Sequence, residues 1–155
     1  MTHASELDGK DLAILELLQE DGRMPLSELG RKIGLSQLAM SERVKRLEEK
    51  GVIAGYGARI NLKPLGLVTM AIIRLKTTHE HISACLKLFA EFPSIIEVHR
   101  VTGDDCFVLK TIVARPENLT AIVDAVGRFG PVTTSVVLRS EATKPIGRAL
   151  MLAGS

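Results

Sequence analysis

Residues 34–51 read GLSQLAMSERVKRLEEKG, and this stretch decides the fold of the N-terminal part of the chain. Gly34 suits a turn through positive φ, Ser36 suits a helix N-cap, and Gly51 suits the end of the helix between them. Three apolar residues of that helix recur on one face and should be buried: Met40, Val44 and Leu47. The stretch therefore predicts a turn followed by an amphipathic helix.

A shorter helix precedes the turn. Pro25 suits a first helical position, where no backbone N–H is needed. Leu26, Leu29 and Ile33 then recur on one face. Two short helices joined by such a turn, over about residues 26–45, are typical of a helix-turn-helix, whose second helix enters the DNA major groove.

Basic residues concentrate on this motif. Residues 31–46 contain five basic residues and one acidic residue, a local net charge of +4, whereas the whole chain has a net charge of only +2. A basic helical edge is what neutralisation of DNA phosphates requires. The predicted DNA-binding residues are Arg31, Ser36, Gln37, Leu38, Ala39, Ser41, Arg43, Lys45 and Arg46. We assign Arg43 and Arg46 to phosphates and the start of the helix to bases. The mixed charge of residues 48–50 leaves an ordinary solvated surface helix as the alternative.

The segment after this helix changes period. Apolar residues recur with period 2 over residues 52–60, which predicts a strand or a wing. The sequence LKPLG at 62–66 contains Pro and Gly and predicts a hinge. We therefore expect a winged helix-turn-helix domain at 7–61, a linker at 62–67, a second domain at 68–140 and a tail at 141–155.

Strand and helix patterns alternate after the linker, so the chain is predicted to be α+β. The predicted strands are about Val68–Lys76, Ile95–Val101, Cys106–Val113 and Val132–Arg139. The first helix is about Glu80–Glu91, with one apolar face: Ile82, Cys85, Leu86 and Phe89. The second opens at Pro116 and buries Leu119, Ile122, Val123 and Val126. This order is the ferredoxin-like βαββαβ arrangement, in which both helices cover one face of an antiparallel sheet.

The middle hairpin indicates what the other sheet face needs. A tight turn at Gly103–Asp104 sets the cross-strand pairs. They are Thr102 with Asp105, Arg100 with Phe107, Val98 with Leu109, and Glu97 with Lys110. The face away from the helices then carries apolar residues unsuited to water: Ile95, Val101, Val108 and Ile112. Either a partner or the tail must cover them.

The chain resembles the AsnC/leucine-responsive (feast/famine) family of bacterial transcription regulators. The matching stretches are LDGKDLAILELLQEDGR at 7–23, SELGRKIGLS at 27–36, SERVKRLEEKGVIAGYGARIN at 41–61, VTGDDCFVL at 101–109 and GPVTTSVVL at 130–138. The resemblance implies double-stranded DNA as a partner and dimers in which two sheets pack face to face. It also implies octamers of four dimers.

The resemblance further implies that a small effector, in most cases an amino acid, binds at the glycine-acid turn in a cleft between dimers. The predicted effector-binding residues are Val101, Thr102, Gly103, Asp104, Asp105, Cys106, Thr133, Thr134 and Ser135. Without the resemblance, Gly-Asp is simply a good hairpin turn. One departure matters: Cys106 stands where the family has Asp, so leucine-type recognition does not carry over.

Composition and motifs argue against other classes. No apolar run is long enough for a membrane, the start MTHASELDGKD has no signal-peptide core, and two cysteines make no disulfide framework. We therefore expect a cytoplasmic, nucleoid-associated protein. His79 and His81 do not form a zinc set, Cys106 lies opposite Val101 rather than His99, and no phosphate loop appears. No enzyme activity, metal or cofactor is expected.

Three functional hypotheses follow. The leading one is a sequence-specific transcription regulator that responds to an amino acid or related metabolite. The second is an architectural DNA-compacting protein whose C-terminal domain only assembles. The third is a sensing or enzyme-accessory domain with little DNA role, which the basic edge at residues 43–46 opposes.

Overall fold

The structure, a computed structural model, describes residues 7–153. These divide into two units. The N-terminal unit consists of residues 7–59 together with residues 142–153, and the second unit consists of residues 60–141. The C-terminal residues thus fold with the start of the chain.

Three helices form the N-terminal unit: α1 (Gly9–Glu20), α2 (Leu26–Ile33) and α3 (Gln37–Glu49). The predicted turn between α2 and α3 is confirmed, because Gly34 has φ of 78° and the Ser36 hydroxyl accepts from Ala39 N at 3.2 Å. An αL residue at this point favours glycine, and the cap satisfies a backbone donor at the start of α3.

The core of this unit lies where the three helices meet. Its buried members are Ile14, Leu29, Met40, Val44 and Leu47, which include the predicted inner face of α3. The opposite face of α3 is left to solvent, as an amphipathic helix requires.

The predicted strand or wing at 52–60 is wrong for the described chain. This segment is extended but pairs with no strand, and Tyr56 and Ile60 are exposed. Its start instead completes the end of α3, since Val52 N and Ile53 N donate to Leu47 O at 2.9 and 3.1 Å. Period 2 reports extended backbone, and two glycines in the segment weaken strand formation.

The second unit has the predicted βαββαβ order. Its strands are β1 (Thr69–Leu75), β2 (Ile95–Arg100), β3 (Phe107–Val113) and β4 (Val132–Val136), and its helices are α4 (Ile82–Glu91) and α5 (Leu119–Gly127). A 3₁₀ turn precedes each helix. The sheet order is β2-β3-β1-β4 with every pair antiparallel.

Both helices pack on one face of this sheet. The core there includes Ile73, Phe89, Phe107, Leu109 and Ile122, with Phe89 and Phe107 edge to face at 5.2 Å between ring centroids. Leu86, placed on the inner face of α4 by its spacing, is instead about half exposed.

The hairpin register is confirmed for three of the predicted pairs. Arg100 opposes Phe107, Val98 opposes Leu109 and Glu97 opposes Lys110. An irregularity between Ile95 and Glu97 then shifts the register. Ile95 therefore opposes Thr111 and packs against the helix-covered core, so its predicted place on the face away from the helices is wrong. A bulge of this kind adds one residue to a strand and turns the residues beyond it to the other face.

The tail ends in a short helix, α6 (Arg148–Leu152), which docks on α1. Gln19 Nε2 donates to Ile146 O at 2.9 Å, and Ile146 N donates to Gln19 Oε1 at 2.8 Å. The described part of the tail is thus bonded to α1 within the N-terminal unit, whereas the alternative placed it over the sheet. None of the described helices is long and apolar enough to cross a membrane.

Candidate DNA-binding surface and ligand loop

The N-terminal turn of α3 presents an unusual combination of side chains to solvent. Gln37 is exposed, and Leu38 is 72% exposed although it is a large apolar residue. Ser36 caps the helix beside them, while Ala39 and Ser41 are partly buried. An amide and an apolar side chain at this end are suited to base edges and to the thymine methyl group.

The side chains of Arg43 and Arg46 contact α1 as well as solvent. Arg43 Nη1 donates to Asp8 Oδ2 at 2.7 Å and to Asp11 Oδ1 at 2.8 Å. Arg46 Nη2 donates to the same Asp11 carboxylate at 3.0 and 3.2 Å. These four residues, the Asp-Arg network, tie the middle of α3 to the first turn of α1.

The Asp-Arg network is partly shielded from water. Asp11 is only 1% exposed, and its carboxylate also accepts from Asp8 N at 3.2 Å, completing a capping box. The Asp11 N–H and then Arg43 lower the pKa of Asp8, whereas the hydrogen bonds that Arg43 donates to Asp8 and Asp11 raise the pKa of Arg43. A buried carboxylate needs such partners, so the main role of the Asp-Arg network is to hold α3 against α1.

Other basic side chains are more accessible to phosphates. Lys32 and Lys45 make only exposed i,i+4 pairs at 3.7 Å, with Glu28 and Glu49, and such pairs are weak. Arg31 is exposed and forms no ion pair within residues 7–153. Arg46 is half exposed and keeps donors beyond its Asp11 contact.

The ligand loop predicted around Gly103 is open. The last bond of the β2–β3 ladder runs from Val101 N to Cys106 O at 3.1 Å, so residues 102–105 form a four-residue loop rather than the expected tight turn. Gly103 has φ of +106°, and nothing lies within 4 Å of where a Cβ would be. Val101, Thr102 and Asp104 are exposed, and Asp105 is partly buried.

Cys106 is turned away from this open space. Its Sγ donates to Thr77 O at 2.9 Å and lies 3.4 Å from Thr77 N, and its own N donates to Leu75 O at 2.8 Å. The side chain packs against the helix-covered core. In this geometry Cys106 anchors the end of the loop to the chain after β1.

The three hydroxyl residues of β4 do not share a face. Thr133 pairs with Arg74 and Ser135 with Ile72, while Thr134 pairs with the fully buried Ile73. Strand alternation therefore puts Thr133 and Ser135 on the face away from the helices and Thr134 on the other.

Arg74 is the residue that the sequence interpretation missed. It lies on β1 between Val108 of β3 and Thr133 of β4, on the face away from the helices, and is partly buried. It makes no ion pair within the part of the chain that the structure describes. The available signal was a single cation inside the apolar strand TMAIIRL. Because Leu75, its neighbour, is bonded to Cys106, Arg74 lies at the sheet end where the loop begins.

The side chains considered for catalysis, His99 and Cys106, make structural contacts within residues 7–153. His99 Nε2 lies 3.2 Å from Glu97 Oε2 and His99 opposes Val108, while the Cys106 thiol bonds to Thr77. Glu97 also accepts from Lys110 Nζ at 2.8 Å, and these contacts, that of Lys110 first, lower its pKa. Residues 7–153 contain no cluster of three or more metal-ligating side chains.

Two sequence profiles of known domains match the chain. Residues 7–48 match the AsnC-type helix-turn-helix domain, and residues 70–145 match the Lrp/AsnC ligand-binding domain. Together they match most of both units and leave residues 49–69 and the helix α6 outside.

Named relatives agree with these profiles. The transcriptional regulator FL11 of Pyrococcus furiosus is 36% identical over 136 residues, which are 86% of this chain and 90% of the relative. LrpC of Bacillus subtilis is 33% identical over 145 residues, covering 92% and 99% of the two chains. These relatives are named as transcription regulators, so the prediction that the chain is not an enzyme is confirmed.

Solved structures show the same fold. The structure of B. subtilis LrpC aligns with a TM-score of 0.84 at 30% identity, covering 90% of this chain and 99% of that one. A Neisseria meningitidis transcriptional regulator solved in complex with L-Met aligns with a TM-score of 0.79 at 24% identity, covering 90% and 95%.

Proposed function

The chain belongs to the Lrp/AsnC family of DNA-binding transcription regulators, and we propose that it binds specific double-stranded DNA sites through α3 in response to an amino acid or related metabolite. The observation that best supports DNA binding is the exposed first turn of α3, where the side chains of Gln37 and Leu38 lie outside the core. Such a regulator acts at the nucleoid in the cytoplasm.

Docking of α3 in the major groove divides the predicted residues by role. Gln37 and Leu38 read bases, with Ala39 and Ser41 beside them. Arg31, Lys45 and the free donors of Arg46 contact phosphates. Arg43 contributes mainly by holding α3 against α1, because its guanidinium is committed to Asp8 and Asp11. In this arrangement Arg43 positions the recognition helix.

We further propose a dimer built on the outer sheet face. Met70, Ile72 and Val108 lie on that face and are only partly buried in the single chain. A second copy of the sheet would remove them from water, and the family domain is one that oligomerises. Dimers in turn assemble into an octamer of four dimers. A dimer reads pseudo-palindromic sites with half-sites roughly 34 Å apart, so a monomer at micromolar concentration that still binds specifically would contradict this arrangement.

The ligand site we propose joins the open loop to the outer face of the sheet. Backbone N–H groups around Gly103 and the guanidinium of Arg74 suit a carboxylate, while Asp104 or Asp105 suits an α-amino group. Thr133 or Ser135 of a neighbouring subunit adds a hydroxyl. Cys106 has a supporting role, since its thiol is bonded to the backbone of Thr77.

The decisive experiment selects genomic DNA fragments bound by the protein, alone and with each of the twenty amino acids. L-Met belongs in the panel because the N. meningitidis regulator with this fold was solved with it. We expect recurrent pseudo-palindromic sites whose recovery changes with one or a few amino acids. Recovery without sequence preference, unaffected by every amino acid, supports the architectural alternative instead.

A further inference from the structure

Residues 146–152 lie outside both family domains, and we propose that the C-terminal segment 145–152 is a detachable clasp of α1 that gives the DNA-binding unit a second connection to the ligand-binding unit. The clasp comprises the extended residues Pro145–Gly147 and the helix α6. Its occupant on α1 is this chain itself, not a second copy. The proposal goes beyond DNA and ligand recognition.

Recognition of the clasp by α1 is specific and polar. The Gln19 amide donates to Ile146 O and accepts from Ile146 N, as a neighbouring β-strand would. One side-chain amide supplies both groups. One turn earlier on the same face of α1, Glu16 Oε2 accepts from Arg148 Nη2 at 2.9 Å. This face of α1 therefore selects an extended peptide followed by a cation.

Apolar packing of the clasp is incomplete. Ile146 is 54% and Leu150 is 66% exposed, and α6 buries no residue. Cavities flank the clasp on both sides: one of about 460 Å³ lined by Leu15, Leu18, Ile146 and Met151 among others, and one of about 720 Å³ that includes Ala13, Leu17 and Pro145.

A segment held this way opens more easily than the core. Segments with few buried apolar contacts open at low free energy, and a five-residue helix does not persist alone. We therefore expect α6 to form only while docked, so that docking and helix formation are one event.

Docking of the clasp changes how many chain segments restrict the DNA-binding unit. The chain passes between the two units twice, after residue 59 and after residue 141. The second passage begins just beyond β4, whose residues Thr133 and Ser135 belong to the proposed ligand site. A docked clasp restricts the DNA-binding unit through two chain segments, while an open clasp leaves only the linker. This last step rests on the proposed DNA-binding function.

Hydrogen exchange of residues 145–152 in the full-length protein tests the docking. Arg148→Glu places two carboxylates together, and Gln19→Ala removes both bonds to Ile146 at an exposed position where Ala suits the helix. Each change should accelerate exchange of the Ile146 amide on the order of tenfold. The double variant Glu16→Arg/Arg148→Glu should restore protection. Arg139→Glu, which disrupts an exposed pair with Glu141 outside the clasp, is the matched control and should leave exchange unchanged.

The outcomes separate the claims. Exchange indifferent to Gln19→Ala and to Arg148→Glu overturns the clasp. Protection that increases with protein concentration overturns its intramolecular form, since the segment then comes from a second copy.

The same variants are titrated with a selected DNA fragment, and we expect affinity to change at least about twofold when the clasp opens and to return in the double variant. Altered exchange with unaltered affinity overturns the coupling, and a wild type that binds no DNA contradicts the proposed function while leaving the docking result intact.

Discussion

Arg43 donates to Asp11 across 32 residues of sequence at 2.8 Å, and this contact joins the recognition helix to the first helix of the chain. Asp11 is almost fully buried, and a buried carboxylate requires a cationic partner. The guanidinium of Arg43 therefore pairs with Asp11 within the domain and is less available to DNA. We therefore expect the stability of the fold and the affinity for DNA to depend on different basic residues of α3.

Arg43→Ala should lower the free energy of unfolding by about 2–3 kcal/mol, because a charge-assisted hydrogen bond to a buried carboxylate is lost. Lys45→Ala should leave stability within about 0.5 kcal/mol but reduce the slope of log affinity against log salt by about one. Chemical denaturation and DNA titration over a salt series measure the two effects. Equal stability of both variants would contradict the structural role of Arg43.

Leu38→Ala should be neutral for folding, since the side chain is mostly exposed, yet it should relax the choice of base at one position of each half-site. The expected loss for the preferred base is about 1–3 kcal/mol. Binding to a library of single-base variants measures the preference. Leu65→Ala, at another exposed leucine, is the control; an unchanged base preference in Leu38→Ala places α3 in a different docking mode.

Acid should weaken the N-terminal unit through Asp8. Its pKa is lowered below the ordinary value of 3.8 in the folded state, so its stabilising contribution is complete above that value and disappears as the pH falls through the lowered pKa. Asp8→Asn keeps a capping oxygen but removes the charge. The stability gap between wild type and variant should therefore be largest near about pH 7 and close as the pH falls through the lowered pKa of Asp8. Urea titrations across this range test the trend, with Asp104→Asn as a control in an exposed loop; a gap that widens in acid would reverse the assignment.

Ligand binding should depend on Gly103 and Arg74. Gly103→Val forces a β-branched residue into φ of +106° and should abolish binding. Arg74→Gln should weaken a carboxylate ligand about tenfold or more, as a charged hydrogen bond is lost. Calorimetry against an amino-acid panel measures both, with the exposed Lys87→Gln on α4 as the control. DNA binding without ligand should survive each change, and binding that ignores both positions would remove the site from this loop.

Thr111 offers a prediction about stability alone. Its Oγ1 is the buried side-chain oxygen for which the described residues provide no hydrogen-bond partner. Thr111→Val replaces the hydroxyl with a methyl group of similar shape and should stabilise the protein by about 1 kcal/mol. The control is Thr120→Val, at an exposed position of α5, with an expected change within about 0.5 kcal/mol. Thermal unfolding compares the two, and a destabilised Thr111→Val would mean that the hydroxyl has a polar partner.

Local signals made much of the fold predictable. The cap at Ser36, the turn at Gly34 and the buried face of α3 each depend on residues within one or two turns, and each is confirmed. The order of strands and helices was predictable for the same reason, because each element carries its own period.

Features that depend on distant partners were not predictable. Charge placed Arg43 and Arg46 on a basic edge, but only the fold brings Asp8 and Asp11 to them. The bulge that turns Ile95 toward the helix-covered core depends on how β2 pairs with β3. The alternation of apolar and polar residues in the sequence does not reveal it. The period of residues 52–60 indicated extended backbone correctly, yet a strand also requires a partner.

Gln19 and Ile146 are 127 residues apart, so the surface of α1 is completed by a segment that is synthesised long after it. Helices α1–α3 leave the ribosome well before residue 146, so their contact with Ile146 forms only after residues 60–141 have been synthesised. Contacts of such long sequence separation form late and slowly. A chain truncated before residue 145 would carry the helix-turn-helix without its closing segment, so the state of the DNA-binding unit would report whether residues 145–152 are present.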